Sequence, residues 1–202
     1  MTLRADALRV LGSWEHDDVA QRSLRDDYVA HLRGHDDAAW RSCHPDHLTA
    51  SVAVLSADAR QVVLTLHARL GRWLQTGGHC EPDDVSLADA ALREGREETG
   101  IDALVLDPEP VLLSRHEVPC GPVSPAHHLD VQYVATAAPG AVPVRSEEST
   151  DLRWFDVDDL PPGCDESVHD LVRAAVRRVG QSTSASPGTA SPAPPAADQP
   201  SR

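Results

Sequence analysis

The sequence has 202 residues, of which 41% are hydrophobic and 25% are charged. A chain of this length buries one core of ordinary size, so we expect one principal domain. The formal net charge of -14 argues against polymeric nucleic acid or an anionic membrane as a partner, because both require a basic surface. An anionic small substrate therefore needs local arginines or a metal ion.

The apolar runs and the cysteines indicate where in the cell the protein is located. No apolar run approaches the roughly 18 residues that span a bilayer, and "MTLRADALRV" carries charges where a signal peptide has its apolar region. No C-x-x-C pair occurs, so the cysteines indicate neither a disulfide framework nor a zinc finger. The cysteines are Cys43, Cys80, Cys120 and Cys164. We expect a cytoplasmic protein without a membrane partner.

The N-terminal residues 1–45 are predicted to be helical. Leu3, Ala7, Leu11 and Trp14 recur at helical spacing and form one apolar face. Because the charges of this segment are mostly acidic, a DNA-reading helix is not expected. We interpret residues 1–45 as a helical extension of the main domain.

Residues 49–157 are rich in strand patterns, which are β-branched or alternating runs broken by Gly, Pro and Asp. The runs are "TASVAVLS", "QVVLTLHA", "WLQT", "VLLSRHEV", "HLDVQYVATA" and "LRWFDV". The segment "SADAR" fits a hairpin connection between the first two runs. One strong helix, residues 87–99, interrupts the strands, which indicates a mixed sheet in an α/β (α+β) fold.

The C-terminal part is predicted to be a helix followed by a tail. "DESVHDLVRAAVRRVG" has apolar residues at helical spacing and Gly180 as its stop. Residues 181–202 are nearly all Ser, Pro, Ala, Gly and Thr, a composition typical of disorder. The predicted organisation is therefore an extension at 1–45, a domain at 46–180 and a disordered tail at 181–202.

The helix at residues 87–99 gathers acidic side chains on one face. Ser86 and Asp89 form a capping-box pattern before it, and Gly100 follows it as a C-terminal stop. The acidic residues at i, i+3 and i+4 are Glu94, Glu97 and Glu98. Like charges at this spacing repel each other. Arg93 relieves part of the repulsion, and a hard cation such as Mg²⁺, which prefers oxygen ligands, relieves more.

This stretch resembles the Nudix hydrolase family. The Nudix box has the form G, five residues, E, seven residues, R-E-U-x-E-E-x-G-U, where U is apolar. "REGREETGI" matches its second half, and an earlier glycine matches its start. The matching positions are Gly78, Arg93, Glu94, Glu97, Glu98, Gly100 and Ile101.

The match departs from the Nudix pattern in three respects. Asp84 stands where the first Glu belongs, and one additional residue separates it from Arg93. Glu81 and Asp83 are therefore alternatives to Asp84 as the extra acid. Gly95 stands at an apolar position of the helix, where glycine costs about 1 kcal/mol relative to alanine. It either loosens the helix or makes room for a neighbouring side chain.

The resemblance implies an α/β/α sandwich around a mixed sheet and the metal-dependent hydrolysis of a diphosphate bond. The substrate class it implies is a nucleoside diphosphate linked to another group, or a nucleoside triphosphate. Carried over by position, Glu94, Glu97 and Glu98 bind Mg²⁺ or Mn²⁺ with a backbone carbonyl near Gly78, and Arg93 orients Glu97. Glu94 is the first choice for the general base. Homodimers are common in the family.

Further candidates lie outside the box. Glu147 or Glu148 precedes a strand, where Nudix proteins often add another acid. The sequence has 11 histidines, but their spacing lacks a recognised zinc-ligand pattern. We therefore favour a role for one or two of them in contacting phosphate or base. The candidate substrate-binding residues are His79, His128, Arg72 and Arg115.

Two alternative functions remain open. Gly95 and the altered turn are consistent with a Nudix-like module that senses a nucleotide without cleaving it. Cys80, beside the box, is consistent with a Nudix-fold isomerase acting on an isoprenoid diphosphate, because that chemistry needs a protonating pair that usually includes a cysteine.

Overall fold

The computed structural model describes residues 2–120, 122–146 and 149–184. Within these ranges the chain forms helices and strands in the following order: α1 (Leu3–Ser13), α2 (Val19–Gly34), β1 (Asp46–Leu55), β2 (Gln61–His67), β3 (Trp73–Leu74), β4 (Thr76–His79), α3 (Leu87–Thr99), β5 (Leu104–Leu106), β6 (Leu112–Val118), β7 (Ala126–Ala137), β8 (Ser149–Asp156) and α4 (Glu166–Ser184).

The strands form one mixed sheet around the parallel pair β1 and β7. Strand β1 pairs with β7 over its whole length, with Leu48 opposite Leu129 and Val54 opposite Ala135. All other pairings of the sheet are antiparallel: β4 and β2 pair with different parts of β1, β6 and β5 pair with different parts of β7, and β3 and β8 pair with β2. Besides pairing with each other, β1 and β7 each pair with two shorter strands along different parts of their length, and the sheet therefore curls.

The alternation of side chains along β1 and β7 builds two cores. One face of β1 carries Val52 and Val54, which pack in a core with helices α1, α2 and α3. The opposite face carries Ala53 and Leu55, which pack against α4. The result is the expected α/β/α sandwich, and the mixed α/β fold is confirmed.

The helices at residues 1–45 contribute directly to the first core. Leu11, Tyr28 and Leu32 have no exposed surface and belong to the same cluster as the sheet residues. Trp14 donates a hydrogen bond from Nε1 to the carbonyl of Pro110, at 2.8 Å. The extension is therefore packed as part of the sandwich, while the division of the chain into domains stays a prediction.

Several boundaries differ from the sequence-based expectation. Strand β5 was not expected, because only three residues pair with β7. Helix α4 does not stop at Gly180 but continues to Ser184, since a single glycine costs a helix only about 1 kcal/mol. The first residues of the expected tail are thus helical, and residues 185–202 lie outside the described part of the chain. No helix among the described residues is both long and apolar enough to span a bilayer.

Candidate active site

Helix α3 begins and ends where its capping residues predict. The side chain of Ser86 accepts a hydrogen bond from the backbone N–H of Asp89 at 3.0 Å. Gly100 adopts the left-handed conformation with φ 65° and donates its N–H to the carbonyl of Arg96 at 2.8 Å. These local contacts fix the register of the helix, and with it the face that carries the acidic residues.

Two glycines allow strand β4 to pass tightly between β1 and α3. A Cβ atom on Gly77, whose φ is 154°, would lie 2.3 Å from Cβ of Ser51 on β1. A Cβ atom on Gly78 would lie 2.6 Å from Oε1 of Glu94 on α3. Only glycine permits both approaches. The backbone of β4 therefore runs directly against the acidic face of the helix.

Arg93 connects the loop before α3 to two glutamates of the helix. Its Nη1 donates to Oε1 of Glu94 at 2.9 Å and to Oε2 of Glu97 at 3.1 Å. Its Nε and Nη2 donate to the two carboxylate oxygens of Asp84, each at 3.0 Å. Nη2 also donates to the carbonyl of His79 at 3.0 Å. The hydrogen bond with Asp84 is the largest cause of the raised pKa of Arg93.

The remaining acids occupy defined positions around this network. Glu98 accepts a hydrogen bond at Oε1 from the backbone N–H of Gly77, at 2.9 Å. Asp84 is buried, and it also accepts from the backbone N–H of Glu81 at 2.7 Å. The hydrogen bond between Glu81 and Asp84 thus closes the turn that contains the additional residue, and the carboxylate of Asp84 faces Arg93. Glu81 is exposed and lies 4.0 Å from Arg93.

The donor set of this cluster suits a hard divalent cation. Glu94 and Glu97 bind the same nitrogen of Arg93, so their carboxylates converge. Glu98 and the glycine backbone of β4 adjoin them. All the available donors are oxygens, which Mg²⁺ and Mn²⁺ prefer. The residues present therefore fit such an ion.

Comparison with known proteins places this arrangement in a family. The model of the NUDIX domain matches residues 45–178. The chain belongs to the Nudix family. The match covers all strands of the sheet as well as the box, so the resemblance stated from the box residues is confirmed for the whole sheet. The prediction of a Nudix-type hydrolase is confirmed with it. Nudix enzymes generally use divalent metal ions.

Solved Nudix structures share the fold. A Nudix-family hydrolase from Clostridium perfringens is 23% identical, with a TM-score of 0.55, and the match covers 66% of this chain and 97% of that one. An Ap4A hydrolase from C. elegans is 15% identical, with a TM-score of 0.54 and coverage of 66% and 98%. The NUDIX domain of Shewanella oneidensis NrtR, solved with ADP ribose, is 19% identical, with a TM-score of 0.55 and coverage of 74% and 97%.

The glycine within the Nudix helix makes room for the sheet. Gly95 is buried, and a Cβ atom there would lie 2.8 Å from Cγ1 of Val52 and 3.4 Å from Cδ1 of Leu104. The helix itself is regular through this position. Of the two readings of Gly95 from the sequence, close packing is the one that the contacts favour.

The two candidate arginines outside the Nudix box pair with acids away from the carboxylate cluster. Nη1 of Arg72 lies 4.0 Å from Asp165, just before α4. Nη2 of Arg115 donates to Asp46, at the start of β1, at 3.1 Å. Their role in substrate binding stays a prediction. Glu147 and Glu148 lie outside the described residues.

The two candidate histidines come together on the sheet face that also supports α4. His79 and His128 contact each other with ring centroids 4.9 Å apart. Burial is the largest cause that lowers the pKa of His79 to about 4 and that of His128 to about 3. Both rings are therefore neutral near pH 7.

A row of buried polar residues on the same face was not found from the sequence. Asp130 accepts hydrogen bonds from Oγ of Ser51 at 2.6 Å, from Oγ1 of Thr49 at 3.0 Å and from Nε2 of Gln132 at 2.9 Å. The available signal was the period of two in "HLDVQ", which places His128, Asp130 and Gln132 on one face. Polar residues on the inner face of a central strand indicate a site rather than a core.

Cys80 lies on the opposite face, inside the apolar core. Its exposed fraction is 7%, and it packs in the cluster that contains the Nudix helix and α1. Burial raises the pKa of its thiol to about 12. A thiol enclosed in this way has no open path to a substrate, so the geometry gives no support to the isomerase alternative.

Proposed function

We propose that the protein hydrolyses a diphosphate bond in a nucleotide-type small molecule, using Mg²⁺ held by Glu94, Glu97 and Glu98 with a backbone carbonyl near Gly78. The observation that carries this proposal is the network of Arg93, which binds two of these glutamates and anchors them to Asp84 in the preceding loop. Mn²⁺ is the expected substitute, because its ligand preference is similar.

A metal ion bound by these glutamates would supply charge stabilisation for the phosphate oxygens and activation of the attacking water. Arg93 holds Glu94 and Glu97 in place through fixed hydrogen bonds, so little reorganisation is needed when substrate arrives. Its bidentate contact with Asp84 fixes the guanidinium in turn. Asp84 therefore acts as the anchor of the arginine.

We assign the general base to Glu94. Its carboxylate touches Gly78 and is 13% exposed, compared with 59% for Glu97. A carboxylate held next to the backbone of β4 is positioned to accept a proton from water bound between strand and helix, which contributes about 10²–10⁴-fold in rate. Glu97 and Glu98 share the metal ion with Glu94 and have no role as the base in this assignment.

The substrate class is proposed from the acidic surface and from proteins with the same fold. The formal net charge of -14 makes a small phosphate compound, neutralised by metal, a better fit than a polymeric nucleic acid or a membrane. The similar structures include an Ap4A hydrolase and a NUDIX domain with ADP ribose. We infer a cytoplasmic location, which agrees with four free cysteines. A homodimer stays a prediction.

The test is the release of phosphate or nucleotide from a substrate panel, measured with Mg²⁺ and with a chelator. The panel contains nucleoside triphosphates, nucleotide sugars, ADP ribose and dinucleotides. Glu97→Gln should lower kcat by about 100-fold or more. Glu166→Gln is the matched control, because Glu166 is also a helical glutamate paired with an arginine, Arg173, at 2.8 Å.

The outcomes separate the hydrolase from the sensing module. Magnesium-dependent cleavage that is lost in Glu97→Gln and kept in Glu166→Gln supports the hydrolase. Calorimetric binding of a nucleotide without cleavage, in folded protein with Mg²⁺ present, favours the sensing module. Full activity of folded Glu97→Gln protein would refute the assignment of the metal site.

A further inference from the structure

A second cluster of potential metal ligands lies on the sheet face opposite the Nudix helix. His47 on β1 stands beside His128 on β7 in the parallel register, and His79 ends strand β4, which pairs with β1. Cys120 comes from the segment between β6 and β7. One ligand atom from each of these four residues lies within 4.8 Å of the other three.

The spacing of the cluster is close to that of a tetrahedral zinc site. Sγ of Cys120 lies 3.9 Å from Nε2 of His47 and 3.8 Å from Nε2 of His79. With Zn–S of about 2.3 Å and Zn–N of about 2.0–2.1 Å at tetrahedral angles, sulfur and nitrogen are about 3.6 Å apart. The two pairs that include sulfur therefore need to shorten by only a few tenths of an ångström, and all four ligand atoms already lie within 4.8 Å of one another.

His47 has the tautomer that metal binding through Nε2 requires. Its Nδ1 lies 3.2 Å from the backbone carbonyl of Cys43. A carbonyl oxygen only accepts, so Nδ1 carries the proton and Nε2, which faces Cys120, keeps its lone pair. Zinc-binding histidines typically make this kind of outer contact with the second ring nitrogen.

One nitrogen of the cluster has no partner in the described part of the chain that compensates its burial. Nε2 of His128 is buried without a hydrogen-bond partner among the described residues. The ring of His47 has no exposed surface and contacts the rings of His79 and His128 at centroid distances of 5.1 and 5.0 Å. Buried polar atoms usually have a partner. A bound ion supplies the missing partner for Nε2 of His128 and binds the other two histidines at the same time.

We propose that His47, His79, Cys120 and His128 bind one zinc ion in a closed structural site. Three imidazoles and a thiolate are ligands that zinc prefers and Mg²⁺ does not. Because protein groups fill all four positions, the ion has no open position for substrate. It joins β1, β4 and β7 next to Gly78, so we expect it to stabilise the strand that adjoins the Nudix helix.

The direct test is the metal content and the cobalt spectrum of the full chain, purified without a polyhistidine tag. We expect one zinc per chain. Cobalt in its place should give the intense visible bands of tetrahedral coordination and a thiolate-to-cobalt charge-transfer band. The carboxylate cluster contains no sulfur, so this band distinguishes the two sites, and Glu97→Gln should leave it unchanged.

Variants identify the ligands. Cys120→Ser should abolish the charge-transfer band, and His128→Ala should weaken zinc binding in competition with a chromophoric chelator by more than about 100-fold. Even loss of an outer partner of a zinc ligand costs about 10–100-fold. Cys164→Ser and His116→Ala are the matched controls. Cys164 packs against the core that contains α4 and is not one of the four converging ligands, and the exposed His116 only adjoins His128. Both controls should bind zinc like the wild type.

The wild-type measurement decides the question even where a variant fails to fold. A wild-type chain without bound zinc that gives octahedral cobalt spectra and no thiolate band would overturn the proposal. So would folded Cys120→Ser protein that keeps the band and the affinity. Neither result depends on turnover, so failure of the zinc site and failure of the hydrolase assignment are distinguishable.

Discussion

Asp6 in helix α1 caps the first turn of the Nudix helix, where its Oδ2 accepts a hydrogen bond from the backbone N–H of Leu87 at 3.2 Å. The first N–H groups of a helix lack partners inside it, and a negative charge at that end is favourable. Asp6 is 2% exposed, so water does not replace this contact. The N-terminal extension thus helps to hold the helix that carries the acidic residues.

Replacing Asp6 by alanine should lower the free energy of unfolding by about 1–2 kcal/mol, because the N–H of Leu87 then stays buried without an acceptor. Urea unfolding of the two proteins measures the difference. Asp36→Ala is the control, since the side chain of Asp36 is fully exposed and lies 3.5 Å from Arg4. Its effect should stay within about 0.5 kcal/mol. Equal effects of the two changes would contradict the capping role.

The three capping residues of α3 differ in how far along the chain they lie from the groups they bind, and this decides which of them the sequence could reveal. Ser86 and Gly100 act on neighbouring backbone groups, so the bounds of the helix followed from local pattern. Asp6 acts across 81 positions of the chain. An acid within α1 carries no local signal that it binds a group on α3, so this contact could not be predicted from the sequence.

Arg93→Lys should lower kcat by about 100-fold. A single ammonium cannot reproduce the guanidinium contacts with Asp84, Glu94 and Glu97 at once. A displacement of about 1 Å in a catalytic group is enough for a loss of this size. Steady-state kinetics on the best substrate of the panel measure the change, and the unfolding transition shows whether the fold is kept.

The matched control for this substitution is Arg96→Lys on the same helix. Arg96 is exposed, and its Nε donates to the carbonyl of Asp102 at 3.1 Å, away from the acidic cluster. The kcat of the Arg96→Lys protein should stay within about twofold of the wild-type value, as expected for a surface substitution. If both variants lose activity equally, Arg93 does not position the glutamates.

The polar face of the sheet could be predicted only in part from the sequence. Alternation in "HLDVQ" places His128 and Asp130 on one face of a strand. The alternation does not predict that β7 pairs in parallel with β1. This pairing places His47 beside His128 and Thr49 beside Asp130. Parallel pairing joins distant segments, and the sequence holds no local signal for its register.

Gly95→Ala should destabilise the protein although alanine favours helices. The added Cβ atom would lie 2.8 Å from Cγ1 of Val52, a fully buried residue of the central strand. Overpacking of this kind costs about 1–3 kcal/mol, whereas the gain in helix propensity is about 1 kcal/mol. Gly12 in α1 is the control, because no atom lies within 4 Å of a Cβ atom there. Gly12→Ala should stabilise by about 0.5–1 kcal/mol.

A double-mutant cycle separates the clash from other effects of the glycine. In a Val52→Ala background the methyl group that Gly95→Ala meets is absent. The same substitution should then be neutral or stabilising, with a coupling energy of about 0.5–3 kcal/mol between the two positions, as for residues in direct contact. Additive effects in urea unfolding would show that Gly95 serves the helix in another way. Coupled effects would mean that glycine at this position of the box sets the distance between the Nudix helix and the central strand β1.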